Sequence, residues 1–185
     1  MNKPEDAVKI YNELCTSYRA IDDFRAKLLG LIPLVTGTGI SLLFEKIQNA
    51  QDIPIETKGL LTAIGVFGAL ITLGLFSYEI FGIKKCGALI KAGKDLEASL
   101  QIENGQFMNR PQNVAFLINE PFAAGVIYPT VLAAWVFFTL AFAWPEANPF
   151  IPIIVLLAGF VGTLLYDFRL RKTAGQVEHS YYARE

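Results

Sequence analysis

The sequence predicts an all-α integral membrane protein: a four-transmembrane-helix bundle with cytoplasmic amphipathic helical extensions. Three observations predict it. The chain of 185 residues is 53% hydrophobic and only 18% charged, where a soluble domain carries roughly 25% charged residues. Four apolar stretches approach the about 20 helical residues needed to cross roughly 30 Å of hydrocarbon. Lysine and arginine gather on one side of those stretches, as the positive-inside rule requires.

The first span is Leu28 to Phe44, 17 residues without a charge between Lys27 and Glu45-Lys46. It is short, and Lys27 can snorkel to lengthen it. Gly59 to Ile83 is interrupted only by Glu79. Phe122 to Trp144 ends in an indole at the depth where indoles collect. A turn at Pro145-Glu146-Ala147-Asn148-Pro149 leads into Phe150 to Tyr166, the fourth span, closed by Asp167 and by Arg169, Arg171 and Lys172. The chain therefore divides into a helical segment at 1–27, a transmembrane hairpin at 28–83, a helical loop at 84–121, a second hairpin at 122–166 and a tail at 167–185.

Orientation follows from the cations. Lys3, Lys9, Arg19, Arg25 and Lys27 precede the first span; Lys84, Lys85, Lys91, Lys94 and Arg110 lie in the middle loop; Arg169, Arg171, Lys172 and Arg184 lie in the tail. The other two loops hold only Lys46 and Lys58. Both termini and the middle loop are expected in the cytoplasm and the chain in the inner membrane, which puts Cys15 and Cys86 in a reducing compartment where a disulfide is not expected. Acidic residues scattered through 1–27 leave no continuous apolar run there, so no signal peptide is expected.

An offset of 88 residues aligns Gly74, Tyr78, Glu79 and Lys84 with Gly162, Tyr166, Asp167 and Lys172, and also Pro33 with Pro121 and Gly37 with Gly125. This pattern raises the reading of two tandem hairpins with a common orientation.

Residues 5–27 carry a helical stripe of Ile10, Leu14, Tyr18, Ile21 and Leu28. Pro4 suits a first turn, and Glu5 and Asp6 complement the helix dipole. Nothing separates this helix from the first span, where Pro33 is the first expected kink or hinge. A second amphipathic helix is expected over roughly Cys86 to Glu103, weakened by Gly93 and stopped at Asn104-Gly105. After it, Phe107, Val114, Phe116, Leu117 and Ile118 are expected to rest on lipid headgroups. These cytoplasmic segments can pack on each other, on a second copy or on another protein.

The chemistry-bearing groups are sparse. The single histidine, His179, lies in the tail, and no His/Cys/carboxylate cluster has metal-ligand spacing. Walker, G-x-S-x-G and paired-cysteine motifs do not occur. The expectation is a protein that is not an enzyme, with no catalytic residues, metal or cofactor; balanced charge argues against nucleic acid. Thr36-Gly37-Thr38-Gly39 after Pro33 is the one polar, flexible stretch at membrane depth and the candidate pore or hinge. Gly65 with Ala69, Gly68 with Thr72 and Ala158 with Gly162 are the candidate helix-packing positions, since small residues four apart let helices approach closely. Glu79 and Asp167 are interfacial acids, expected to be satisfied by Lys84-Lys85 and Arg171-Lys172.

The layout is similar to small bacterial membrane effectors that oligomerise into pores beside a cytoplasmic sensor, a resemblance of architecture without specific residues. It implies the lipid bilayer, a second copy of the chain and a cytoplasmic protein as partners. The alternative is a passive anchor that recruits a cytoplasmic partner, with a small channel or transporter behind both.

Overall fold

The structure, a computed structural model, describes residues 4–48, 53–110, 120–144 and 146–182; the side chains of Pro4, Lys46–Gln48, Glu120, Asp167 and residues 170–182 are outside the description. The described residues are all-α, with four helices: α1 (Pro4–Gln48), α2 (Ile55–Ser99), α3 (Glu120–Ala143) and α4 (Ile151–Tyr182). Among the described residues there is no strand. α1, α2 and α3 are long and apolar enough to span a membrane, and the apolar part of α4, Ile151–Tyr166, is shorter, about 24 Å at 1.5 Å per residue.

α1 starts at Pro4 with Glu5 and Asp6 in its first turn and runs through Pro33 without interruption. α2 is also one helix of 45 residues. The span and the amphipathic helix that the sequence separates near Ile83 are therefore continuous, because Gly82, Gly87 and Gly93 leave the backbone ladder intact and no proline intervenes. Its end lies earlier than Asn104-Gly105. The Ile102 N–H donates to the Glu97 carbonyl at 2.9 Å and the Gln101 N–H to the Ala98 carbonyl at 3.3 Å, which closes the helix in a Schellman arrangement with Gln101 at φ 56°. The expected turn between α3 and α4 is present: the Ala147 N–H donates to the Trp144 carbonyl at 2.8 Å, and Asn148 Oδ1 accepts from the Phe150 N–H at 2.9 Å.

The helices alternate in direction. Tyr11 meets Glu97 and Arg25 meets Glu79, so α1 and α2 are antiparallel. α3 runs antiparallel to α2, placing Trp135 and Thr139 over Gly68 and Gly65, and parallel to α1, placing Phe138 edge-on to Phe44. α3 packs on all three other helices, whereas α4 packs on α3 alone among the described residues. The arrangement is thus an open stack with α3 at its centre rather than a closed ring of four.

The buried positions of α2 are Leu61, Gly65, Gly68, Thr72, Glu79, Gly82, Cys86, Gly93 and Glu97. Their steps of three, four and seven are a heptad seam. α1 answers with Cys15, Tyr18, Arg25, Ile32 and Thr36 at the same period. Two cores result. One comprises Ile32, Ala124, Tyr128 and Val131 at the level shared by α1, α2 and α3. The other comprises Cys15, Tyr18, Cys86 and Phe107, where α1 and α2 extend as a pair. α3 has 24 residues against 45 in each of α1 and α2, a difference of roughly 30 Å of helix.

Candidate functional site

The strongest concentration of buried polar groups lies where that extended pair meets the apolar level. The Arg25 Nε and Nη2 donate to Glu79 Oε1 at 2.9 and 2.7 Å. The side chains are 2% and 0% exposed. Arg25 reaches across Gly82, whose missing Cβ would stand 3.2 Å from Arg25 Cδ, and its Nη1 also donates to Cys86 Sγ at 3.7 Å. Glycine at residue 82 is what lets the aliphatic stem lie flat on α2. On the other side, Phe76 stacks on the Tyr128 ring at a centroid distance of 5.3 Å, with Tyr128 fully buried. The partner of Glu79 is thus Arg25 of α1. Lys84 and Lys85, the expected partners, are exposed, because they follow Glu79 by five and six residues and leave the face that α1 covers.

A second clasp holds the far end of the α1–α2 pair. Glu97 Oε1 accepts from the Tyr11 hydroxyl at 2.7 Å and from the Phe107 N–H at 2.8 Å, while Oε2 accepts from the Met108 N–H at 2.7 Å. Arg19 Nη2 donates to Gln106 Oε1 at 2.9 Å. Burial alone disfavours the Glu97 carboxylate, but the Phe107 N–H, the Tyr11 hydroxyl, the Met108 N–H and nearby Lys94 outweigh it and hold its pKa below the usual value. Burial and the hydrogen bond to Glu97 push the Tyr11 hydroxyl up to about 12. The loop thereby delivers Phe107 into the cluster of Cys15, Tyr18 and Cys86, against Gly93, with Arg110 over the Tyr18 ring at 5.3 Å. Phe107 is therefore a core residue rather than a headgroup contact, and Gly93 is the socket that admits it. Val114, Phe116, Leu117 and Ile118 lie outside the described residues.

The residues singled out in the sequence separate into distinct environments. Gly65 and Gly68 face Thr139 and Trp135 of α3, and Thr72 is buried with its hydroxyl donating to the Gly68 carbonyl at 2.8 Å. Gly162 has open space where a Cβ would stand, and Ala158 is exposed. The close approach of α3 and α4 instead uses Gly159 against Pro129 and Gly125 against Thr163. Thr36 is buried, whereas Pro33 and Thr38 are exposed and Gly37 and Gly39 face open space. That stretch therefore does not line one common surface within the protomer. Asp167 lies on α4, with its side chain outside the described residues. The aligned Gly37 and Gly125 differ in surroundings, the first open and the second against α4.

Sequence reasoning missed Arg25, Cys86, Glu97, Tyr11 and Tyr128. The available signal was the heptad of small residues along α2, on which both Glu79 and Glu97 fall. Among the described residues no three His, Cys, Asp or Glu side chains converge as a metal set. No family model, curated protein or solved structure matches this chain.

Proposed function

We propose that the chain is a non-enzymatic, multi-pass inner-membrane protein with both termini in the cytoplasm, which self-associates and receives a cytoplasmic partner on its projecting α1–α2 pair. One observation carries the membrane reading: polarity is inverted. The seams bury glycine, threonine, Arg25 and Glu79, while Leu31, Leu34, Val35, Phe67, Leu70 and Phe81 point outward. Only 6% of the apolar window of α1, 22% of that of α2 and 28% of that of α3 is buried by protein. Water is a poor solvent for such a surface, whereas hydrocarbon matches it at no cost. Lipid in turn supplies no hydrophobic drive between helices, so close packing at small residues must hold the bundle.

The cytoplasmic placement of the α1–α2 extension rests on the cation asymmetry. Self-association draws support from Ala158 and Gly162, which face away from α3 and offer a second copy a place of close approach. A permeation path would have to form between copies, since Thr36 and Thr38 face in different directions within one.

The test is flotation of membranes after alkaline carbonate washing, followed by crosslinking in nanodiscs of the wild type and Gly162→Leu. The reading predicts flotation with the lipid and crosslinked oligomers that Gly162→Leu weakens. A carbonate-soluble protein, or crosslinks unaltered by the substitution, would refute the respective half.

A further inference from the structure

Glu79 uses a single oxygen, Oε1, for both guanidinium contacts. Its Oε2 makes no hydrogen bond, and neither does the Tyr128 hydroxyl, although both residues have no exposure. Buried polar atoms are nearly always paired, directly or through water, because a bare one forfeits its hydration for nothing. These two belong to one neighbourhood. Phe76, which stacks on Tyr128, precedes Glu79 by one helical turn, and Ile83, one turn after Glu79, packs against the same cluster as Tyr128. One is an acceptor, and the other is a hydroxyl that can donate.

We propose that Tyr128 and Glu79 share one small hydrogen-bonding guest, a single water molecule that accepts from the Tyr128 hydroxyl and donates to Glu79 Oε2. The Arg25–Glu79 pair then extends to α3, and Tyr128 becomes the third member of a clasp joining α1, α2 and α3 at one level. The two groups call for combined donor and acceptor character in the guest: a cation is disfavoured by the adjacent guanidinium, and an apolar molecule would leave both oxygens bare. The inference concerns the core of one protomer and does not depend on self-association or on a partner.

Tyr128→Phe tests it by sign, since the ring and its stack on Phe76 remain and only the hydroxyl is lost. In SDS-titrated unfolding from mixed micelles, a bridged hydroxyl makes the variant's folded-to-unfolded ratio fall about five-fold. The loss should disappear in a background carrying Arg25→Leu and Glu79→Leu together. A ratio that rises in the wild-type background would show a bare hydroxyl and overturn the proposal, as would an equal loss in both backgrounds. Radiolytic hydroxyl labelling supplies a second reading, because it marks side chains next to bound water. Tyr128 should be labelled while the equally buried Phe138 is not, and an unlabelled Tyr128 would overturn the proposal independently of any variant.

Discussion

Replacing Arg25 by leucine should be among the most damaging single changes in the chain. The substitution removes both donors to Glu79 Oε1 and leaves a carboxylate with no exposure buried between the helices. Breaking a buried pair from one side costs about 3–5 kcal/mol, because the surviving charge is uncompensated. That corresponds to a fall of roughly two to three and a half powers of ten in the folded-to-unfolded ratio. Glu79→Leu alone should cost a similar amount by stranding the guanidinium. The double variant Arg25→Leu/Glu79→Leu removes both desolvation penalties and should recover most of the loss, since apolar replacements of such pairs are often neutral or better. SDS titration followed by circular dichroism measures all four proteins, and the coupling energy of the cycle is the quantity of interest. An exposed pair would behave differently, each single variant costing less than about 1 kcal/mol with little coupling. That result would show that Arg25 reaches water or headgroups and that the clasp does not hold α1.

Gly68→Leu and Gly162→Leu should separate in the same assay. A Cβ at residue 68 would stand 2.7 Å from Trp135 Cε3 while residue 162 has open space, so the first should lose about 1–3 kcal/mol within the protomer and the second less than about 0.5. Gln101→Gly should stabilise the protein by about 1 kcal/mol, because Gln101 adopts φ 56° at the end of α2 and glycine removes the left-handed penalty. The Glu97 clasp should respond to pH at both extremes. A carboxylate whose folded pKa lies below its unfolded value of 4.5 stabilises the fold fully above that value and loses the contribution as pH falls through the folded one. The protection factors of the Phe107 and Met108 amides, taken against the intrinsic exchange rate at each pH, should therefore fall in acid, and Glu97→Gln should remove the dependence. For Tyr11, raised from 10.0 to about 12, stabilisation is complete below pH 10 and declines between the two values, which tyrosinate absorbance against Tyr11→Phe can follow.

The helices themselves were legible in the sequence because apolar length and capping are local properties. Pro4, Glu5 and Asp6 mark the start of α1, and the absence of any breaker before Leu28 implies its continuity. The continuity of α2 across Ile83 is not legible in the sequence, because the lysines that follow suggest a new segment, whereas a change in the polarity of the side chains leaves a helical backbone unbroken. The seam was harder to see. Apolar periodicity finds faces that avoid water, but here leucine and phenylalanine face outward and glycine, threonine and charge face inward, so the usual stripe points the wrong way. Ile10 belongs to the expected stripe of α1 and is half exposed, while Cys15 and Arg25 are buried. The partnership of Arg25 and Glu79, 54 residues apart, depends on the relative register of two helices, which no local window contains. Glu97 was hidden for a different reason: its partners are backbone N–H groups of a loop whose path is set by Phe107 entering the space above Gly93.

The central claim, that an inverted bundle lies in lipid with its cations on the cytoplasmic side, is tested most directly by topology reporters fused after residues 50 and 147. Alkaline phosphatase at either junction should be active and green fluorescent protein dark, with the opposite pattern for fusions after Arg110 and at the C-terminus. Phosphatase inactive and fluorescence bright at both 50 and 147 would contradict the account.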